Sequence, residues 1–174
     1  MKKLLFSFVP ILCTLTSYAQ KENFGIVNYT APAGFHLIRH ENVLTYYKED
    51  KNTGAYCNIF IYQLVPGQGD PKSDFDNAWN NQVQKPFKFT ASPAMQPEAD
   101  LKGWKFLFGN AKYNDNGIAT LALLICFSGE NKMQSVCILA NSDSFKSDIE
   151  NFIGSADVSR SPSSTASGQN STSG

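Results

Sequence analysis

The segment from Trp104 to Leu139 constrains the fold more than any other part of the chain, because it carries three strand patterns in succession. Large aromatic residues recur at every second position from Trp104 to Phe108, which is the period of a strand with one face buried. The run from Ile118 to Phe127 is apolar almost throughout, as is typical of a central strand covered on both faces. Together with Met133 to Leu139, these runs predict an antiparallel meander.

Two turn sequences separate these strands. The first, Asn114-Asp115-Asn116-Gly117, contains the Asn-Gly pair that favours a two-residue hairpin loop. The second is Gly129-Glu130-Asn131-Lys132. If Glu130 and Asn131 are its central pair, Cys126 lies opposite Ser135, whereas a turn slipped by one residue places Cys126 opposite Cys137.

A second hairpin and the first helix precede the meander. Strand patterns at Val43 to Lys48 and Ala55 to Leu64 flank a polar loop that ends in glycine, which predicts antiparallel pairing. A helix then begins near Pro71 with Asp70 or Ser73 as N-cap, and we expect Pro86 to end it. Its apolar stripe consists of Phe75, Ala78, Trp79 and Val83.

A second helix and a proline-containing connection complete the pattern. The stretch from Phe87 to Ala99 contains Pro93 and Pro97, so it is interpreted as a connection with at most a short edge strand. The second helix begins near Ser142 or Asp143 and ends at Gly154. The predicted class is therefore α+β, with an antiparallel β-sheet of about six strands packed with two main helices.

Residues 1–19 have the form of an export signal peptide. Lys2 and Lys3 precede an apolar run of about 12 residues, shorter than the roughly 20 that a membrane-spanning helix requires. Small residues at Ser17 and Ala19 predict cleavage before Gln20, so we expect a periplasmic or secreted chain without a membrane span after cleavage. Cys13 could instead carry a lipid, but bulky residues precede it, which favours a cleavable signal.

The remaining chain divides into one domain and a tail. Residues 24–158 form a single α+β domain of ordinary size, and residues 159–174 form a Ser-rich tail that we expect to be disordered. Of the 15 basic residues, Lys2 and Lys3 lie in the leader, and the 15 acidic residues leave the remainder slightly negative. Without a basic block, nucleic acid is an unfavourable partner.

Three cysteines follow the leader, namely Cys57, Cys126 and Cys137. An odd number in an oxidising compartment leaves at least one thiol unpaired or shared between chains. All three lie in apolar strand runs, where cysteine behaves as a small hydrophobic residue, so buried and unpaired thiols are favoured.

No residue pattern assigns a catalytic residue, a metal site or a cofactor. His36 and His40 lie too far apart on one strand to chelate a single ion. Asp70, Asp74 and Asp76 cluster at the first helix start, where acidic side chains satisfy free amides and the helix dipole. They also keep open a carboxylate-based hydrolase with Asp74 or Asp76 as its acid.

A geometric argument predicts an open surface on the sheet. A six-stranded sheet is about 28 Å wide and a helix about 10 Å across, so two helices cannot cover both faces. The strand Ala55 to Leu64 places aromatic residues on one face and apolar residues on the other. Unless the entry segment and the proline-containing connection cover these aromatics, a ligand or partner could bind there. The candidate binding residues are Tyr46, Tyr56, Tyr62 and Trp104.

The order of these elements, with the opening Tyr29-Thr30-Ala31-Pro32-Ala33-Gly34-Phe35, resembles the PsbP-like family. The resemblance spans roughly residues 28–158 and implies the Mog/PsbP-like α/β/α sandwich, an antiparallel sheet between helices. It also implies an exported bacterial member with a non-catalytic binding or accessory role at the cell envelope. A protein, peptide or small ligand would then be its partner, engaged transiently or in a permanent complex.

Overall fold

The computed structural model describes residues 21–115 and 117–160, which form an α+β domain with two antiparallel sheets. The larger sheet has nine strands and the smaller has three, so the predicted number of about six strands is too low. The difference comes from short strands that periodicity cannot detect. The strands are β1 (Lys21–Phe24), β2 (Val27–Thr30), β3 (His36–Arg39), β4 (Val43–Asp50), β5 (Ala55–Tyr62), β6 (Val65–Pro66), β7 (Ala94–Met95), β8 (Ala99–Leu101), β9 (Trp104–Asp115), β10 (Ile118–Gly129), β11 (Lys132–Ala140) and β12 (Asp157–Val158).

The large sheet has the order β3-β4-β5-β11-β10-β9-β7, with β6 paired to β11 and β8 paired to β9. The predicted meander is confirmed as β9, β10 and β11. Glu130 and Asn131 form the central pair of the β10–β11 turn, with φ values of 53° and 56°. Cys126 consequently lies opposite Ser135, so the unslipped register is the observed one.

Two helical segments pack on the large sheet, as the sequence predicts. The first combines α1 (Pro71–Ala78), a π-helical turn (Trp79–Gln84) and α2 (Lys85–Phe87). Asp70 is its N-cap and accepts a hydrogen bond from the Ser73 amide. Pro86 does not end this segment, which continues to Phe87. The π-helical turn directly before Lys85 shifts the hydrogen-bond pattern and accommodates the proline. The second segment is a 3₁₀ turn (Asp143–Phe145) followed by α3 (Lys146–Ser155).

The small sheet pairs β2 with β1 on one side and with β12 on the other. Its first strand begins at Lys21, ahead of the predicted domain start at residue 24. The buried side chain of Gln134 in β11 joins this sheet to the larger one: its Oε1 accepts from the Ile26 amide, and its Nε2 donates to the carbonyls of Phe24 and Tyr62. The side-chain amide of Gln134 thus satisfies backbone groups of both sheets, which among the described residues are not hydrogen-bonded to each other at this point.

The large sheet has a hydrophobic core on each face. One core lies under α3 and the small sheet, and it contains Cys57, Ile59 and Ile61 of β5. The other lies under α1 and the π-helical turn, and Phe60 and Tyr62 of β5 pack against it. The predicted alternation of β5 is therefore confirmed.

The export-signal pattern in residues 1–19 and most of the Ser-rich tail, residues 161–174, lie outside the described residues. At the start of that tail, the backbone amide of Ser159 donates to the Ile26 carbonyl at 2.8 Å. Among residues 21–115 and 117–160, no helix combines the length and apolarity needed to cross a bilayer.

Candidate functional site

The two helical segments cover different halves of the sheet. The first packs on β9 and β10, while α3 packs beside β2 on the opposite face. Each face therefore has an uncovered region, and the two uncovered regions lie diagonally across the sheet. This arrangement agrees with the expectation that two helices leave part of the sheet open.

Two of the four candidate aromatic residues are buried, so the expectation that they lie on an open surface is wrong. Tyr46 is 3% exposed and Trp104 is 2% exposed. The small sheet covers Tyr46, whose hydroxyl lies 3.2 Å from that of Tyr29. The indole Nε1 of Trp104 donates to the Ser159 carbonyl at 3.0 Å. The entry segment and the start of the tail thus cover these two side chains.

The other two candidates, Tyr56 and Tyr62, are half-buried on the face that carries the first helical segment. Two contacts fix the position of Tyr56: its hydroxyl lies 3.2 Å from that of Thr120, and its backbone amide donates to Asn141 Oδ1. Burial raises the pKa of the Tyr62 phenol above its ordinary value. The four predicted residues therefore do not form one site: Tyr46 and Trp104 are buried, whereas Tyr56 and Tyr62 are half-buried.

Around Tyr62, the sheet face formed by β3, β4 and β5 is open. Phe60 lies 6.4 Å from Tyr62 and 5.9 Å from Phe87 between ring centroids. Ile38 is 43% exposed and Phe87 is 38% exposed. We call this region the aromatic face, defined by Ile38, Thr45, Tyr47, Asn58, Phe60 and Phe87.

Next to the aromatic face lies a small cavity of about 210 Å³. We call it the amide pocket, because three of its lining side chains are amides and none is charged. Ser135 Oγ donates to Gln82 Oε1 at 2.8 Å, which fixes the orientation of that amide. The lining residues are Asn42, Tyr62, Gln63, Val65, Gln82, Met133 and Ser135.

On the opposite face, a groove of about 670 Å³ runs between α3 and the β9–β10 hairpin. Its apolar lining comes from Leu121 and Leu123 of β10 and from Ile149 and Ile153 of α3. We call it the α3 groove. A volume in this range is typical of sites that hold small molecules.

Charged side chains line the rim of the α3 groove. Lys146 and Glu150 of α3 stand 3.8 Å apart, and Asp143 lies at the start of the preceding turn. Lys112 of β9 stands on the other side, and its ammonium group has no ion-pair or hydrogen-bond partner among the described residues. The groove therefore combines an apolar floor with a polar rim of both charges.

The acidic cluster at the first helix start has structural contacts. Asp74 is fully buried: it accepts from the Gln68 amide at 2.6 Å and from the hydroxyl of Ser128. Asp76 is exposed and pairs with Lys72. In residues 21–115 and 117–160, no three His, Cys, Asp or Glu side chains are grouped so that they could hold a metal ion.

The thiols of Cys57, Cys126 and Cys137 are free and buried, as the sequence favours. Burial raises the pKa of each thiol to about 12. At neutral pH they are protonated and unreactive, because the thiolate is the nucleophilic form.

The sequence did not indicate the residues of the α3 groove or of the amide pocket as site residues. Ile149 and Ile153 lie four positions apart on α3, a spacing that by itself indicates only packing of one helix face on the sheet. The amides of Asn42, Gln63 and Gln82 come from three separate segments, and their sequence spacing carries no signal.

The fold and these two cavities describe an α+β sandwich with partly open sheet faces, and comparisons with known proteins support that fold. No protein-family model and no curated protein matches the chain. The solution structure of cyanobacterial PsbP (CyanoP) from Synechocystis matches with a TM-score of 0.51 at 13% identity, over 84% of this chain and 97% of that one. The chain thus has the PsbP-like fold expected from its sequence.

Two further structures show weaker similarity. LpqN, described as involved in cell envelope biogenesis of Mycobacterium tuberculosis, has a TM-score of 0.47 at 11% identity, over 76% of this chain and 83% of that one. A protein from Bacteroides thetaiotaomicron has a TM-score of 0.45 at 12% identity, over 77% of this chain. The match covers only 45% of that longer protein.

Proposed function

We propose that the chain is an exported, non-catalytic binding or accessory protein of the bacterial cell envelope. Its ligand is a protein, peptide or small molecule that buries an apolar group in the α3 groove. The observation that carries the proposal is the groove itself, which is about 670 Å³ in volume and lined by aliphatic side chains. The export-signal pattern of residues 1–19 supports a location outside the cytoplasm.

The composition of the groove favours binding over chemistry. Leu121 and Ile153 are half-buried, so a ligand would remove apolar surface from water at about 25 cal/mol per Å². The charged rim would orient that ligand without adding much affinity, since exposed ion pairs contribute little.

A carboxylate-based envelope hydrolase has less support. The carboxylate of Asp74 is sealed from solvent, and both its oxygens accept hydrogen bonds from the protein. Asp76 is exposed but lies two residues along the helix, on a different side, and pairs with Lys72. The two carboxylates therefore do not face a common space, which an acid and base pair would require.

The test is site-specific photocrosslinking from Ala119, an exposed residue on the rim of the groove, in envelope extracts of the source cells. We expect an adduct that disappears in a Leu121→Arg variant, because the arginine fills and charges the floor. Ile118→Arg is the matched control, since Ile118 lies on the same strand, is 54% exposed and does not line the groove. An adduct unaffected by Leu121→Arg would contradict the assignment of the groove.

A further inference from the structure

We propose that the amide pocket and the aromatic face form a binding site for a neutral oligosaccharide. One sugar unit occupies the amide pocket beside Tyr62, and the next unit lies over Phe60. This site is on the other face of the sheet from the α3 groove and shares no lining residue with it. The inference therefore goes beyond the function proposed for the groove.

The charge of the site indicates an uncharged occupant. None of the seven side chains that line the amide pocket is charged. The adjoining row across β3, β4 and β5 consists of Ile38, Thr45 and Phe60, which are also neutral. A charged ligand would lose its hydration there without a counter-charge, which is costly.

The polar groups of the pocket match a ligand rich in hydroxyl groups. The Tyr62 hydroxyl and the side-chain amides of Asn42 and Gln63 have no hydrogen-bond partner among the described residues. Gln82 Oε1 already accepts a hydrogen bond from Ser135, so the Nε2 of Gln82 remains available as a donor. Hydroxyl groups both donate and accept, so they can satisfy all of these groups at once.

The aromatic rings supply the apolar half of the site. The face of an aromatic ring is negative and attracts polarised C–H groups, such as those on the face of a sugar ring. Phe60 lies 6.4 Å from Tyr62, so an oligosaccharide anchored in the pocket meets Phe60 with its next unit. A purely apolar group would contact the rings but leave the side-chain amides unpaired.

The size of the amide pocket agrees with a single sugar ring. Its volume of about 210 Å³ lies below the roughly 300–1,000 Å³ of pockets that enclose a drug-sized ligand, so it accommodates about one sugar ring. The aromatic face beyond it is open, so the site accommodates a chain that continues outward from one buried unit.

Isothermal titration calorimetry tests the proposal with the mature chain and maltohexaose, cellohexaose and the hexamer of N-acetylglucosamine. We expect at least one of them to bind with a Kd of about 1 mM or below. Tyr62→Phe removes only the hydroxyl, and Gln82→Glu keeps the acceptor for Ser135 while removing the donor. Each should weaken binding roughly threefold to tenfold. Tyr113→Phe is the control, because Tyr113 packs on Phe89 away from the pocket and should leave binding unchanged.

A second variant separates the two halves of the site. Phe60→Ala should weaken binding of the hexasaccharide while leaving binding of the corresponding monosaccharide unchanged. The proposal is overturned if none of the three hexasaccharides binds at about 10 mM. It is also overturned if Tyr62→Phe and Gln82→Glu leave the affinity unchanged, or if the neutral peptide acetyl-Ala-Asn-Ala-amide displaces the sugar at equal concentration.

Discussion

The hydroxyl of Tyr46 donates to Glu22 Oε2 at 3.0 Å, and this contact joins the large sheet to the small one. Tyr29 completes a triangle of oxygen atoms, with its hydroxyl 3.2 Å from that of Tyr46 and 3.3 Å from the same carboxylate oxygen. Arg39 approaches Glu22 from the solvent side at 3.4 Å. An aromatic residue selected from the sequence as a binding candidate thus holds the two sheets together.

Removal of the Tyr46 hydroxyl should destabilise the protein. We expect Tyr46→Phe to lower the free energy of unfolding by about 1–2 kcal/mol, because the half-buried Glu22 loses a donor. Tyr47→Phe is the matched control, since Tyr47 points to the other face and its hydroxyl makes no hydrogen bond within the described residues. Urea denaturation measures both variants. Equal effects at the two positions would refute the role of Tyr46.

Loss of the Asp74 carboxylate should be costly, whereas loss of the Asp76 carboxylate should not. Asp74→Ala leaves the Gln68 amide and the Ser128 hydroxyl without an acceptor, and we expect a loss of about 2–4 kcal/mol for the two groups together. Asp76→Ala removes only an exposed pair with Lys72, worth less than about 0.5 kcal/mol. Chemical denaturation of the two variants gives the comparison. A smaller loss for Asp74→Ala than for Asp76→Ala would contradict the structure.

The three thiols should be unreactive in the native protein. At pH 8 we expect a thiol reagent to modify none of Cys57, Cys126 and Cys137 in the folded mature chain, and all three in denaturant without reductant. Burial raises their pKa to about 12, so the folded state retains protons that the unfolded chain releases above about pH 8.5. The associated stability is complete below that pH and falls as the pH rises toward 12. A urea midpoint that stays constant from about pH 8 to pH 11 would contradict this coupling.

The contacts of Lys48 should stabilise the packing of α3 on the sheet. Its Nζ lies 2.9 Å from Asp148 Oδ2 and within 6 Å of two aromatic rings, at 5.4 Å from Phe35 and 5.9 Å from Phe145. Lys48→Met keeps the aliphatic stem, and we expect a loss of about 1 kcal/mol that shrinks at high salt. Lys146→Met provides the control, because the pair of Lys146 with Glu150 is exposed and 3.8 Å long. A loss for Lys48→Met that does not change with salt concentration would argue against an electrostatic role.

The parts of the fold that the sequence predicts are those fixed by local geometry. A two-residue turn at Glu130 and Asn131 determines the register of β10 and β11, and therefore the position of Cys126. Alternation along β5 assigns Ile59 and Phe60 to opposite faces in the same way. In both cases a few neighbouring residues contain the whole signal.

The parts that the sequence does not predict depend on contacts between distant segments. The β1–β2 hairpin is short, and the buried amide of Gln134, more than 100 residues away, fixes its position. The burial of Tyr46 and Trp104 follows from that hairpin and from Ser159. Alternation therefore shows which face a side chain occupies, but coverage of that face is a tertiary property.

The diagonal placement of the two uncovered regions allows simultaneous occupancy. Because a stiff hydrogen-bonded sheet separates them, an occupant of one region does not displace an occupant of the other. If both proposed sites bind their ligands, the sheet would hold the two ligands on opposite faces at a fixed separation. Mixed addition of both ligands would then give a ternary assembly whose two affinities are independent of each other.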